Sequence, residues 1–262
     1  MGDSTMRIGF VGTGEITQAI VTGISKTDLA DTPIQLSPRN AAIASKLAER
    51  HANVTVAADN QAVLDNADLV FLAIRPQIAE EVVRALKFRA DHHVISLAAA
   101  TPFDRLTTWI DAPVRLAQAI PLPFVATLNG ATAIHPPDEI AAALFSKLGK
   151  AIEVSNKTEY DLLGAASALM GTYFGILEAG TRWLENKGLG YDSGRAYLVQ
   201  MFGALTETAA QSPDRSFDDI RIEFSTKGGL NEQVYTNFAA DGGIKALCNA
   251  LDGVFNRIRH NN

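Results

Sequence analysis

The stretch "GFVGTGEITQAI", Gly9–Ile20, decides how this chain is read. Phe10 and Val11 close a short apolar run, Gly12-x-Gly14 follows, and Ile16, Ala19 and Ile20 recur at helical spacing. The first glycine permits a tight turn, and the second lets the backbone approach a pyrophosphate. The helix start beyond them offers free N–H groups and a partial positive charge. Thr17 stands at the third position of this fingerprint, where Gly or Ala is usual. Placed between a strand and a helix, the pattern predicts a dinucleotide site. The expected cofactor contacts here are Gly12, Thr13, Gly14, Glu15 and Ile16.

Outward from this turn, short apolar runs alternate with amphipathic stretches. "RIGFVG" (7–12), "PIQLS" (33–37), "NVTVA" (53–57), "ADLVFLAI" (67–74), "HHVISLAA" (92–99) and "PVRLAQAI" (113–120) read as strands. "EITQAIVTGI", "NAAIASKLAER" and "QIAEEVVRAL" read as helices between them. The alternation argues for a parallel sheet covered by helices. Thr101-Pro102 with Asp104 is read as a capped helix start, and His92-His93 as the surface end of a strand. "GATAI" (130–134), a helix over 138–148 and "AIEVS" (151–155) extend the sheet. From about Asn156 strand patterns cease. Asn156 with Glu159 opens a helical region, and helical spacing runs through Leu162–Leu184, Tyr191–Ala210, Phe217–Phe224, Leu230–Phe238 and Ile244–Ile258. The fold class is therefore α/β followed by all-α. A Rossmann-type, mostly parallel sheet occupies residues 1–155, and a helical substrate and dimerisation domain occupies 156–262.

Composition narrows the partners. The 262 residues are 47% hydrophobic and 20% charged, with a net charge of −6, which is a globular balance. No block of Lys or Arg marks a nucleic-acid surface. No export signal is read at the N-terminus, and no apolar run approaches the ~20 residues that span a bilayer. The expectation is therefore a cytoplasmic protein without membrane or nucleic-acid partners. The single Cys248 fits a reducing compartment and is read as a packed helix residue. The five histidines show no metal-ligand spacing, so no metal is expected.

The end of the second strand chooses between cofactors. An acid there would accept from a ribose 2′-hydroxyl, but this chain has "LSPRN" (36–40). Ser37 and Arg39 repel no 2′-phosphate. A charge-assisted hydrogen bond is worth roughly 1.5–3 kcal/mol, enough to favour NADP(H) over NAD(H) by one or two orders of magnitude.

These segments together resemble the pyrroline-5-carboxylate reductase family. The residues that carry the likeness are "GFVGTGEITQAI", "SPRN", "DLVFLAIRPQ" (68–77), "VISLAAATP" (94–102) and the helical second half. "IRPQ" is similar to the family's "VKPQ". The resemblance implies reduction of a cyclic imine to proline with NAD(P)H, and a helical dimerisation domain. It adds Ala73, Ile74, Arg75, Pro76 and Ala98 to the expected cofactor contacts. On the substrate side the chain departs from the family. "IPLPF" (120–124) stands for "MPNTP", with Leu122 at the asparagine position, and "SALMGTY" (167–173) for "SGSGPAY". "TKGGLN" (226–231) stands for "SPGGTT", a loop that in the family cradles the substrate carboxylate.

The expected substrate contacts are Gln118, Leu122, Gly228, Gly229, Leu230 and Asn231. Tyr173, Thr172 and Thr226 are the candidate proton donors. Hydride transfer to an imine asks mainly for positioning and exclusion of water. Leu122 and Phe124 suggest a bulkier or less polar substrate than the family's. Two other readings stay open: a reductase or dehydrogenase of a carbonyl or hydroxy acid, and a catalytically silent NADP-binding regulator. A carbonyl enzyme of the related 6-phosphogluconate type would use a lysine of the helical half, where Lys157 and Lys187 lie.

Overall fold

A computed structural model describes residues 6–99 and 101–260. Of the N-terminal stretch read for an export signal, residues 1–5 lie outside them. Two compact units emerge, residues 1–164 with 257–262, and residues 165–256.

The first unit is built on an eight-stranded sheet. In chain order the strands are β1 (Ile8–Val11), β2 (Ile34–Leu36), β3 (Val54–Val56), β4 (Leu69–Leu72), β5 (His93–Ser96), β6 (Arg115–Pro121), β7 (Gly130–His135) and β8 (Gly149–Glu153). In space they lie β3-β2-β1-β4-β5-β6-β7-β8. Every pairing is parallel except β6 with β7. The order reverses beside β1, and in such sheets ligands bind there, beyond the carboxyl ends of the strands.

The central strands are buried on both faces, so they read as continuous apolar runs. All four residues of β1, of β4 and of β5 are buried. On one face Phe10 stacks on Phe71 with centroids 4.7 Å apart, and Phe145 meets Phe71 edge-on at 6.2 Å. The other face packs Val11, Val70, Leu72 and Val94 against Leu106 and Trp109. Each such side chain contributes about 1.5–3 kcal/mol by leaving water.

The helices of this unit are α1 (Glu15–Ile24), α2 (Ala41–Arg50), α3 (Asn60–Asp65), α4 (Pro76–Arg84), α5 (Phe103–Ile110), α6 (Glu139–Lys147) and α7 (Lys157–Ala166). Asn156 caps α7 as its sequence predicts, accepting from the Glu159 N–H at 3.0 Å. The Glu159 carboxylate returns to the Ser155 N–H. Periodicity alone did not reveal α3, since six residues hold too few turns to show a stripe. Its signal is the cap: the Asp59 carboxylate accepts from Ala62 N–H at 2.8 Å. α5 starts one residue later than expected. Pro102 holds the cap position with no side-chain bond, while Thr101 is buried and its carbonyl accepts from Gln118.

His92 and His93 are buried, not at the surface. His92 accepts the Arg89 N–H on Nδ1 at 3.1 Å, and its Nε2 lies 3.0 Å from the Leu64 carbonyl. A carbonyl only accepts, so Nε2 carries the proton. Burial and the nearby Arg89 guanidinium hold this imidazole below its ordinary pKa, which keeps it neutral. His93 Nε2 meets the Asp138 carboxylate at 3.0 Å, and the same oxygen caps α6 by accepting from Ala141 N–H at 2.8 Å.

The second unit is helical: α8 (Leu169–Asn186), α9 (Tyr191–Ala210), α10 (Phe217–Glu223), α11 (Leu230–Ala240) and most of α12 (Gly243–His260). The expected Leu162–Leu184 helix is broken at Ser167–Ala168, between α7 and α8. Cys248 is exposed on α12 and not packed as its neighbours suggested. Residues 157–186 also contain an 18-residue window of mean hydropathy 1.3 that is 6% buried. By length and composition that stretch could cross a membrane, which the search for an uninterrupted apolar run missed.

Burial alone would raise the pKa of Asp138, but hydrogen bonds from His93 and from backbone N–H groups outweigh it and hold the value low. A carboxyl depressed in the fold stabilises it above the unfolded pKa, near ~4, and that contribution fades as pH falls through the folded value. Asp138→Ala is expected to cost about 2 kcal/mol at pH 7. In urea melts the gap to wild type narrows below about pH 4; a gap independent of pH would place the effect elsewhere.

Candidate cofactor and substrate site

The carboxyl ends of β1, β2 and β4 surround a cleft of about 370 Å³. Gly12, Thr13 and Gly14 form one wall, Arg39 and Asn40 another, and Ala73, Ile74 and Arg75 a third. The expected contacts Gly12, Thr13, Gly14, Arg39, Ala73, Ile74 and Arg75 are thus brought together. Glu15 and Ile16 begin α1, and Pro76 begins α4, just behind this lining. Ala98 is buried after β5 and lies outside the cleft lining.

The two glycines of the turn answer to different demands. Gly12 has φ +104°, and a Cβ there would sit 2.2 Å from the Ala73 carbonyl oxygen. The fold itself forbids a side chain at Gly12. Gly14 has φ −110°, a region open to any residue, and a Cβ there would meet nothing within 4 Å. Protein packing gives no reason for glycine at 14, whereas close approach of a ligand's phosphates does. Gly14 is also the cap residue of α1 and brings no side-chain bond, which leaves the first-turn N–H groups turned outward.

Thr17 is fully buried and donates to the Gly12 carbonyl at 2.8 Å, so the departure from the usual fingerprint adds a brace to the turn. Ser37 requires a correction. It is fully buried, and its hydroxyl lies 2.9 Å from the Gly12 N–H and 3.1 Å from Thr13 Oγ. It is not presented to a phosphate. Arg39 and Arg75 are exposed at the cleft, and among the described residues no carboxylate is recorded in an ion pair with either. Asn40, Asn60, Ile78 and Val82 also line the cleft and were not anticipated. Asn60 had a legible signal, as the first residue of the helix that Asp59 caps.

Gln118 is fully buried in β6; its amide N–H donates to the Thr101 carbonyl at 2.7 Å, which braces the turn after β5, while its Oε1 is buried without a hydrogen-bond partner among the described residues. Leu122 is half-buried at the carboxyl end of β6, where it begins a short 3-10 turn over Pro123–Thr127.

The remaining candidates lie in the second unit. Tyr173 and Thr172 are exposed on α8, and the Tyr173 ring packs edge-on against Phe174 and Phe202. Thr226 is exposed ahead of α11, with its carbonyl accepting from Gly229 N–H at 2.7 Å. Gly228 has φ +72°, and its N–H donates to the carboxylate of Glu232, one turn into α11. Leu230 is 80% exposed at the helix start. The Asn231 amide donates to the Phe224 carbonyl at 2.7 Å, so its donor faces the chain itself.

Comparison with known proteins places this architecture. Residues 7–100 match the family model described as NADP oxidoreductase coenzyme F420-dependent. The chain is 25% identical to the pyrroline-5-carboxylate reductase of Pseudomonas aeruginosa, over 97% of this chain and 96% of that one. The pyrroline-5-carboxylate reductase structure from Coxiella burnetii superposes with a TM-score of 0.85 at 24% identity, covering 99% of both chains. A Plasmodium falciparum pyrroline carboxylate reductase with NADP bound gives 0.85 at 14% identity, again over 99% of both. The chain is thus similar to pyrroline-5-carboxylate reductases over nearly its full length.

The contrast between the two glycines is testable. Gly14→Ala is expected to lower the melting temperature by no more than about 2 °C, since Ala is a poorer cap than Gly but meets open space, and to weaken dinucleotide binding at least ten-fold. Gly12→Ala is expected to lower the melting temperature itself by several degrees. Calorimetry and a cofactor titration on both variants read the difference.

Proposed function

We propose that this protein is an NADPH-dependent oxidoreductase that reduces the C=N bond of a small cyclic imine carrying a carboxylate, pyrroline-5-carboxylate being reduced to proline. One observation carries the reading. Gly14 leaves open space that the fold does not need, in a cleft where Arg39 stands exposed with no recorded ion-pair partner. The names of the family members that the chain matches along its whole length support the same reaction.

The residues fit the cofactor in charge and shape. The N–H groups of Thr13, Gly14 and the first turn of α1 would receive the pyrophosphate. The Arg39 guanidinium would take the 2′-phosphate. Ile78 and Val82 would give the adenine end an apolar floor. When bound, NADPH supplies the hydride that goes to the imine carbon, while a proton goes to the nitrogen. The chain has to hold the substrate and keep water out. The Gly228–Gly229 loop with the N–H groups that start α11 offers donors to a carboxylate. Tyr173, Thr172 and Thr226 stay as the candidate proton donors.

Assembly as a homodimer belongs to this reading. Phe174, Ile176, Trp183, Tyr197 and Val199 are large apolar side chains exposed on α8 and α9, a composition suited to a partner copy. The cytoplasm, where a lone exposed Cys248 stays reduced, is the compartment that suits it.

One feature of the loop runs against easy carboxylate binding. Glu232 already places a carboxylate on the Gly228 N–H, so an anionic substrate has to displace it. This favours keeping the rival readings within the test.

Following NADPH absorbance over cyclic imines and keto acids separates the three activities. Turnover of pyrroline-5-carboxylate is expected. Turnover of carbonyl compounds alone would support the second reading, and tight NADPH binding without any turnover would support a regulator. Arg39→Ala is expected to lose ten-fold or more in NADPH affinity and little in NADH affinity. Glu232→Gln is expected to lower KM for pyrroline-5-carboxylate several-fold while leaving KM for uncharged 1-pyrroline unchanged; equal KM values in the two proteins would remove Glu232 from substrate binding.

A further inference from the structure

The turn at the cleft is held in shape by hydroxyl groups that are buried and bonded within the chain. Three elements supply them: Thr13 in the turn itself, Thr17 in α1, and Ser37 at the end of β2. All three are buried, with Ser37 and Thr17 at 0% exposure and Thr13 at 3%.

The direction of each proton follows from the partners. Thr13 Oγ lies 2.8 Å from the Ser37 carbonyl, which only accepts, so the single Thr13 proton is spent there. The contact of 3.1 Å between the two hydroxyl oxygens then has to be donated by Ser37. The Gly12 N–H donates to Ser37 Oγ at 2.9 Å. Ser37 therefore gives its only proton to Thr13 and receives one from Gly12. No donor remains on Ser37 for a phosphate, whatever lies in the cleft.

The same bonds fix Gly12 from both sides. Its N–H is tied to Ser37 and its carbonyl to Thr17 Oγ at 2.8 Å. Between these ties its backbone stands at φ +104°, against the Ala73 carbonyl. A turn held this way points the N–H groups of Thr13 and Gly14 into the cleft before any ligand arrives.

We propose that Ser37 is a positioning residue: it orders the Gly12–Gly14 turn through Gly12 and Thr13, and leaves reading of the 2′-phosphate to Arg39. Ser37 thus serves any dinucleotide equally, whereas Arg39 serves only the phosphorylated one. This inference rests on the dinucleotide-reductase reading above.

The test compares Ser37→Ala with wild type in NADPH and NADH titrations, in steady-state kinetics, and in hydrogen exchange of the cofactor-free protein. Ser37→Ala is expected to weaken both cofactors by the same factor, about ten-fold for the loss of two neutral hydrogen bonds. The NADPH-to-NADH affinity ratio stays at the wild-type value, and kcat stays within about two-fold while the cofactor KM rises. Without cofactor, the amides of Gly12–Gly14 exchange faster than in wild type. Loss of NADPH affinity alone would make Ser37 a phosphate ligand and overturn the inference. Unchanged affinities for both, or unchanged exchange at Gly12–Gly14, would overturn it as well. If wild type binds neither cofactor, the reductase reading falls, and hydrogen exchange still decides whether Ser37 holds the turn. Should Ser37→Ala fail to fold, Thr13→Val removes two of the bonds and keeps the Ser37–Gly12 contact. It is expected to shift both cofactors equally and by less.

Discussion

The site depends on a crossing of two turns. After β1 the chain bends at Gly12, and after β4 it passes Ala73, so close that a Cβ on Gly12 would stand 2.2 Å from the Ala73 carbonyl oxygen. Only a bare backbone at positive φ lets the two turns pass this close. That crossing sets where the α1 N-terminus points, and hence where an anion is received. The surrounding hydroxyl bonds keep the turn in a conformation it would not hold alone. Buried strands on either side, Phe10 on Phe71 among them, supply the rigid base on which it is built.

Much of this was legible because parallel sheets write themselves plainly. A strand covered on both faces has to be apolar throughout, and "GFVG", "LVFL" and "HVIS" are nearly so. Long helices with one apolar stripe were equally clear, and Tyr191–Ala210 runs over the same residues in sequence and structure. What escaped was short or depended on a partner. The six residues of α3 carry no period, only the Asp59 cap. His92 looked like a surface residue because its acceptor, the Leu64 carbonyl, belongs to the short helix α3 that the pattern did not reveal, and its donor, the Arg89 N–H, to the loop before β5. A polar residue is buried when another element satisfies it, and sequence spacing does not show that.

The candidate site divides along the same line. Glycines and an arginine at fixed places in a strand–turn–helix unit could be read directly, because backbone geometry and charge decide their use. Ser37 and Gln118 were assigned outward roles on chemical type, yet the Ser37 hydroxyl and the Gln118 N–H bond within the chain, and the Gln118 Oε1 is left buried without a partner among the described residues. Polar side chains at the ends of strands have two customers, the ligand and the neighbouring turn, and their burial decides between them. Thr17 shows the converse. It looked like a defect in the fingerprint, and it is a brace on the Gly12 carbonyl.

The exposed apolar surface of the helical unit asks what covers it. Residues 157–186 have the length and hydropathy of a membrane span. Yet the α8 part carries Glu178, Arg182 and Glu185 in ion pairs of 2.8 and 2.9 Å, and Glu178 also accepts from the Tyr191 hydroxyl at 2.7 Å. Placing that cluster in a hydrocarbon core would cost several kcal/mol with no water to relieve it. Trp183, Tyr197 and Phe174 mix aromatic area with these polar groups, which is the composition of protein interfaces. In the homodimer proposed above, a second copy would bury the aromatic rings and leave the ion pairs at a wet rim.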